Sequence, residues 1–200
     1  MRRLLPLLLL LLLPLSLLSC GDVPTEEEVL PAAEQLIRAS LLLNTVYLGE
    51  GIPAGEVAFG DYSYADKSFC EQNGLMSVAA LKEKTEEVYT AEVAADLYRM
   101  FLTTDSETLG DYRDLPTAGE GLYVRTARTG WYRDMTHEYL FETMTLEDSS
   151  KSGATVSLTV RITPEGLEPQ ERRLSLPLVL GEDGWRCHKL TYIAYDPSQN

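Results

Sequence analysis

Two histidines, His137 and His188, and three cysteines, Cys20, Cys70 and Cys187, are the side chains of this chain best suited to acid–base, nucleophilic or metal chemistry. Their spacing restricts what they can do. Neither histidine stands at a metal-ligand spacing from other His, Cys or Asp residues, so no metal site is expected. Cys187 and His188 are neighbours on a strand-like segment, which sends their side chains to opposite faces and prevents them from pairing as nucleophile and base. A cysteine hydrolase built on Cys70 would need an activated thiol, and Ser68-Phe69-Cys70-Glu71 holds no turn of that kind. There is no Gly-x-Ser-x-Gly elbow, no phosphate-cradling glycine loop and no dinucleotide fingerprint. The expectation is a non-catalytic protein without a cofactor. Tyrosine is plentiful, and Tyr62, Tyr64, Tyr123, Tyr139 and Tyr192 are candidates either to line a ligand cavity or to fill a core with hydrogen-bonded tips.

Cys20 stands apart because of what precedes it. Met1-Arg2-Arg3 is followed by fifteen residues, 4–18, of which twelve are leucine. A positive start and a short apolar run are the features of an export signal. A spanning helix needs roughly 20 apolar residues, and Pro6 and Pro14 each remove a backbone donor from this shorter run. The run ends in Leu17-Leu18-Ser19-Cys20-Gly21, which resembles the lipobox of bacterial lipoproteins, where the cysteine is acylated and becomes the new N-terminus. The resemblance implies a chain held at the outer side of a cell membrane by lipid on Cys20. The segment 21–30 (GDVPTEEEVL) carries acids and no base, and reads as a solvated tether.

With 1–20 removed, 180 residues remain, the length of one ordinary domain, expected over 31–200. The full chain has 17 Lys+Arg and 31 Asp+Glu; losing Arg2 and Arg3 leaves 15 against 31, a formal −16. Such a charge repels nucleic acid and anionic headgroups, and suits either plain solubility or a cationic patch on a partner. Cys70 and Cys187 remain as a pair in an exported domain. They are either bridged, which requires Cα atoms within about 7 Å, or two separate thiols, and spacing alone leaves both open.

These groups need elements to hold them. Pro31 suits a first helical turn, and 32–47 then places Ala32, Leu36, Ala39, Ser40, Leu43 and Tyr47 on one helical face, ended near Gly49, Gly51 and Pro53. An extended segment is expected around Tyr62 and Tyr64. Ser77 and Thr90 are positioned to cap helices over 78–88 and 91–102, with Val88-Tyr89-Thr90 at the corner. The polar stretch 103–120 reads as loop. Beyond it the period changes to two: Val156, Leu158, Val160 and Ile162 alternate with Ser157, Thr159 and Arg161, and Leu174, Leu176, Leu178 and Leu180 alternate likewise. Strands at 121–127, 137–147, 154–163, 172–180 and 185–195, separated by turn clusters, predict an α+β fold. Its N-terminal helices pack on a curved antiparallel β-meander that wraps the first helix. The acidic pairs Glu147-Asp148 and Glu182-Asp183 then fall in hairpin loops and are the candidate partner-contact residues.

Tyr62-Ser63-Tyr64, the segment 77–98 (SVAALKEKTEEVYTAEVAADLY), Gly121-Leu122-Tyr123 and 177–186 (PLVLGEDGWR) together resemble the DL-endopeptidase inhibitor family of Gram-positive bacteria. The likeness spans roughly 60–195. Its most specific piece is the helix pair with Val88-Tyr89-Thr90 at the junction; Gly-Glu-Asp-Gly-Trp before a last strand is shared with many cystatin-like and nuclear-transport-factor-like domains. Membership would imply a cystatin-like fold and an extracytoplasmic protein that blocks the cleft of NlpC-type cell-wall hydrolases, with no catalytic residues of its own. The competing reading is a small-ligand-binding lipoprotein with a pocket between helix and sheet. An isomerase-like enzyme on the same scaffold would need a buried acid facing a tyrosine in that pocket.

Overall fold

The computed structural model describes residues 22–102, 110–114, 121–126 and 135–195. Its elements run α1 (Glu26–Tyr47), β1 (Ala54–Phe59), β2 (Tyr62–Ala65), α2 (Lys67–Asn73), α3 (Val78–Val88), α4 (Ala91–Phe101), β3 (Tyr112–Asp114), β4 (Leu122–Arg125), β5 (Met135–Ser150), β6 (Gly153–Pro164), β7 (Gln170–Gly181) and β8 (Gly184–Cys187). The fold is α+β, with helices packed on an antiparallel sheet, as the pattern of periods predicts. Among the described residues no helix is long and apolar enough to cross a membrane.

The meander β5-β6-β7-β8 is the larger sheet. Alternation decides its buried face: Val156 lies opposite Leu176 and Leu158 opposite Leu174, and all four are buried. Each such side chain contributes roughly 1.5–3 kcal/mol by leaving water. β5 carries two register shifts against β6, and such bulges bend a strand. At the first shift the Thr159 N–H, displaced from the ladder, donates to Thr143 Oγ1 at 2.8 Å. Helix α1 packs on β5, β6 and β8, and α3 packs beside it.

Three expectations need correction. The acidic stretch is not a free tether throughout, because α1 begins at Glu26. Thr25 N donates to Glu28 Oε2 at 2.8 Å, Glu26 to Glu28 occupy the positive end of the helix dipole, and Val29 is fully buried. The buried stripe is accordingly rotated from the expected one: Val29, Ala33, Leu36, Ile37, Ser40, Leu43, Asn44 and Tyr47 face inward, whereas Ala39 faces solvent. Secondly, the segment expected at 121–127 does not open the meander. As β4 it joins a separate sheet of order β1-β2-β4-β3, because β2 and the short β3 offer it antiparallel edges on both sides. β3 lies within the stretch expected to be loop. Thirdly, the last strand stops at Cys187; His188 N still donates to Pro177 O at 2.9 Å, and beyond it Thr191 and Ile193 are bonded by side chains of α1 and β5.

The helical corner forms as expected, with a difference at one cap. Ser77 Oγ accepts from Ala80 N at 3.1 Å, but Thr90 Oγ1 makes no cap bond and meets His188 Nδ1 at 3.1 Å. Thr90 N donates to Cys187 O at 3.0 Å, so the corner is pinned to the end of β8. The smaller sheet is fastened to α1 through Tyr112, whose hydroxyl donates to Val46 O and accepts from Ile52 N.

Candidate functional site

The polar side chains that α1 turns inward meet the C-terminal segment. Ser40 and Asn44, one helical turn apart, face Thr191, which is fully buried. Ser40 Oγ donates to Ile37 O at 2.6 Å, so Thr191 Oγ1 is the donor in its 2.6 Å contact with Ser40 Oγ. The Asn44 amide then supplies both its protons, one to Thr191 Oγ1 at 3.0 Å and one to the Tyr139 hydroxyl at 3.2 Å. Tyr139 passes its own proton to Thr191 O at 3.1 Å. Tyr89 closes the network from the helical corner, 3.3 Å from Thr191 Oγ1 and 3.5 Å from Asn44 Oδ1. Every member has a partner, which a buried polar group requires. Burial pushes the Tyr139 hydroxyl up to about 12 against the pull of its bonds to Thr191 and Asn44, so it stays neutral at physiological pH.

Beside this network lies a cleft of about 230 Å³, lined by Asn44, Tyr139, His137, Tyr192, Leu41 and Met135 among others. His137 Nε2 is 2.8 Å from Ile193 O, which makes it the donor and leaves Nδ1 as the bare nitrogen of the neutral ring. The ring packs on Tyr192 with centroids 4.3 Å apart. Burial lowers its pKa, partly countered by the Ile193 carbonyl. None of the residues lining this cleft is a carboxylic acid, so the acid–tyrosine pair that isomerase chemistry needs is not among them. A wider groove of about 710 Å³ continues past Gly49 and Met135 to Thr163, Glu165 and Leu167.

The tyrosines singled out by abundance divide between the two sheets. Tyr139 and Tyr192 reach the cleft, whereas Tyr62, Tyr64 and Tyr123 sit on β2 and β4, where the Tyr64 and Tyr123 rings lie 4.4 Å apart, tilted by 34°, and Phe59 meets both edge-on. Sequence reasoning missed Asn44 and Thr191. The signal for Asn44 was present, an amide four residues after Ser40 on an otherwise apolar stripe.

The two thiols are free and buried, Cys70 in α2 and Cys187 at the end of β8. Burial, with Asp66 nearby, pushes Cys70 up to about 11, and burial alone pushes Cys187 up to about 12. Thiols so placed are poor nucleophiles at neutral pH. His188 is on the surface, its Nε2 3.7 Å from a Glu92 carboxylate oxygen. No three His, Cys, Asp or Glu side chains among the described residues converge on a metal-sized site.

The acidic pairs fare differently. Glu182 and Asp183 form the two-residue turn between β7 and β8. Glu147 and Asp148, expected in a loop, lie within β5, because that strand runs on to Ser150 before turning. Glu147 is committed across the sheet: it accepts from Arg173 at 2.6 Å and from Ser175 at 3.1 Å, and the Ser175 bond first, then Ser157 and Arg173, holds its carboxyl below the usual range. Cys20 lies outside the described residues. No family model, no curated protein and no solved structure matches this chain, so the resemblance to endopeptidase inhibitors stands on the sequence segments that carry it.

Proposed function

We propose that this chain is an exported lipoprotein that acts by binding and occluding a protein partner, with NlpC-type cell-wall endopeptidases as the partner class. The observation that carries the binding part is the commitment of its reactive groups to structure. Asn44, Tyr89, Tyr139 and Thr191 satisfy one another, His137 is tied to Ile193, and both thiols are buried and raised. The partner class rests on the resemblance, and the address rests on the leader and Cys20. The test is capture from detergent-extracted envelopes with the tagged full-length chain, followed by a peptidoglycan-hydrolysis assay on what is retained. Capture of an NlpC-type hydrolase whose activity is suppressed supports the reading; capture of one with undiminished activity contradicts it.

The cleft beside the network favours a second reading, a small-ligand binder. Its volume of about 230 Å³ falls below the roughly 300–1,000 Å³ of sites for drug-sized molecules, so the ligand would be a compact one presenting polar groups to His137 and Tyr139. Leu41 stands partly exposed at the cleft. Leu41→Trp would fill the mouth without touching the buried network, and a ligand retained through purification would be lost from that variant alone.

A further inference from the structure

The start of α1 and the β5–β6 and β7–β8 hairpin turns share one end of the described fold. Ser149 Oγ, at the end of β5, donates to Pro24 O at 2.8 Å, which places the start of α1 beside the β5–β6 turn. Leu180 N donates to Ser152 O at 2.9 Å, which brings the β7–β8 turn to the same place. Antiparallel pairing sends the β6–β7 turn, between Pro164 and Gln170, to the opposite end. There it faces the other terminus of α1 across the groove that Gly49 and Glu50 share with Glu165 and Leu167.

Distances decide the consequence. Cys20 precedes Pro24 by four residues, a reach of at most about 14 Å even fully extended. Helix α1 has 22 residues, a length of about 33 Å. The lipid-bearing cysteine can therefore lie next to Pro24 and the two turns, but it cannot reach the far end of the helix. The near end carries Glu26, Glu27, Glu28, Asp148, Glu182 and Asp183 with Lys151 and Arg186, whose guanidinium donates to Asp183 O, so the lipid tether and not charge holds this end at the membrane, while the strongly acidic domain as a whole is not drawn flat onto anionic headgroups.

Resting on the lipid-anchor reading, we infer that the chain stands on its lipid with the β5–β6 and β7–β8 turns toward the membrane, and that the end formed by Glu50, Glu165 and Leu167 points away from it. Asp148, Glu182 and Asp183, the acidic residues that invite a role in partner contact, then look at lipid headgroups. The β6–β7 turn and the groove beside it, where Leu167 is 54% exposed, then face away from the membrane.

The experiment uses the full-length, processed protein reconstituted into phospholipid vesicles that carry an energy-transfer acceptor on their headgroups. Lys151→Cys and Glu165→Cys place a donor dye on exposed turns at the two ends, while the native Cys70 and Cys187 are too buried to label without unfolding. Transfer from position 151 is expected to exceed that from position 165 by about twofold or more, as the length of α1 requires. Equal or reversed transfer in protein that floats with the vesicles overturns the orientation and leaves the lipid address intact. Failure of the processed protein to float with vesicles overturns the address, and the orientation with it.

Discussion

Thr191 is the residue on which the site depends most, because one hydroxyl and one carbonyl there answer Ser40, Asn44, Tyr89 and Tyr139. Thr191→Val keeps the shape and removes the hydroxyl, leaving buried donors and acceptors without a partner. The expected loss is about 1–3 kcal/mol, read as a lower urea midpoint with an unchanged slope; an unchanged midpoint would mean the network contributes nothing. His137 gives a pH dependence of defined sign. Its folded pKa is lowered, so the unfolded chain binds the proton more readily, and stability falls as pH drops below the ordinary histidine value of about 6.5. His137→Gln keeps a donor for Ile193 O and should flatten that slope between pH 7 and 5. Little of this constellation was legible in the sequence. His137 and Tyr139 were candidates by type, but Thr191 lies 147 residues from Asn44, and no local pattern announces a bond across that separation.

Among the elements, those governed by local rules were readable. Ser77 capping α3, the Val88-Tyr89-Thr90 corner, and the leucine alternation of β7 all follow from short-range chemistry. The start of α1 was readable too, since Thr25 and Glu28 have capping-box spacing, but the run of acids around them suggested a tether. The short strands β1 and β3 were not, because three to six residues give no period and their burial comes from pairing. Nor does sequence order disclose that β4 pairs with β2 and β3 and not with β5. The rotated stripe of α1 separates the two descriptions experimentally. Val29→Ala should cost about 2 kcal/mol by truncating a fully buried side chain, whereas Ala39→Ser should change stability by less than about 0.5 kcal/mol. Urea titration of both variants checks this; equal effects would return Val29 to a solvated segment.

The whole molecule combines a strongly acidic body with a leucine-rich N-terminal stretch, residues 4–18, shortly before Cys20. Two acyl chains on that cysteine would anchor the protein firmly, each buried methylene contributing about 0.8 kcal/mol. Cys20→Ser is therefore expected to shift the protein from the membrane pellet to the medium or to stall it unprocessed, as fractionation and the mass of the product would show; unchanged membrane attachment would contradict the anchor. The occlusion proposed for the partner has a stoichiometric signature that no catalytic role shares. The most direct measurement is a titration of the full-length protein, in detergent, against a purified NlpC-type endopeptidase from the same cell envelope, following cleavage of peptidoglycan. Residual activity falling in proportion to added protein and levelling near equimolar ratio, with the protein itself uncleaved, is the predicted result. Hydrolysis that continues at its full rate in excess protein would contradict it.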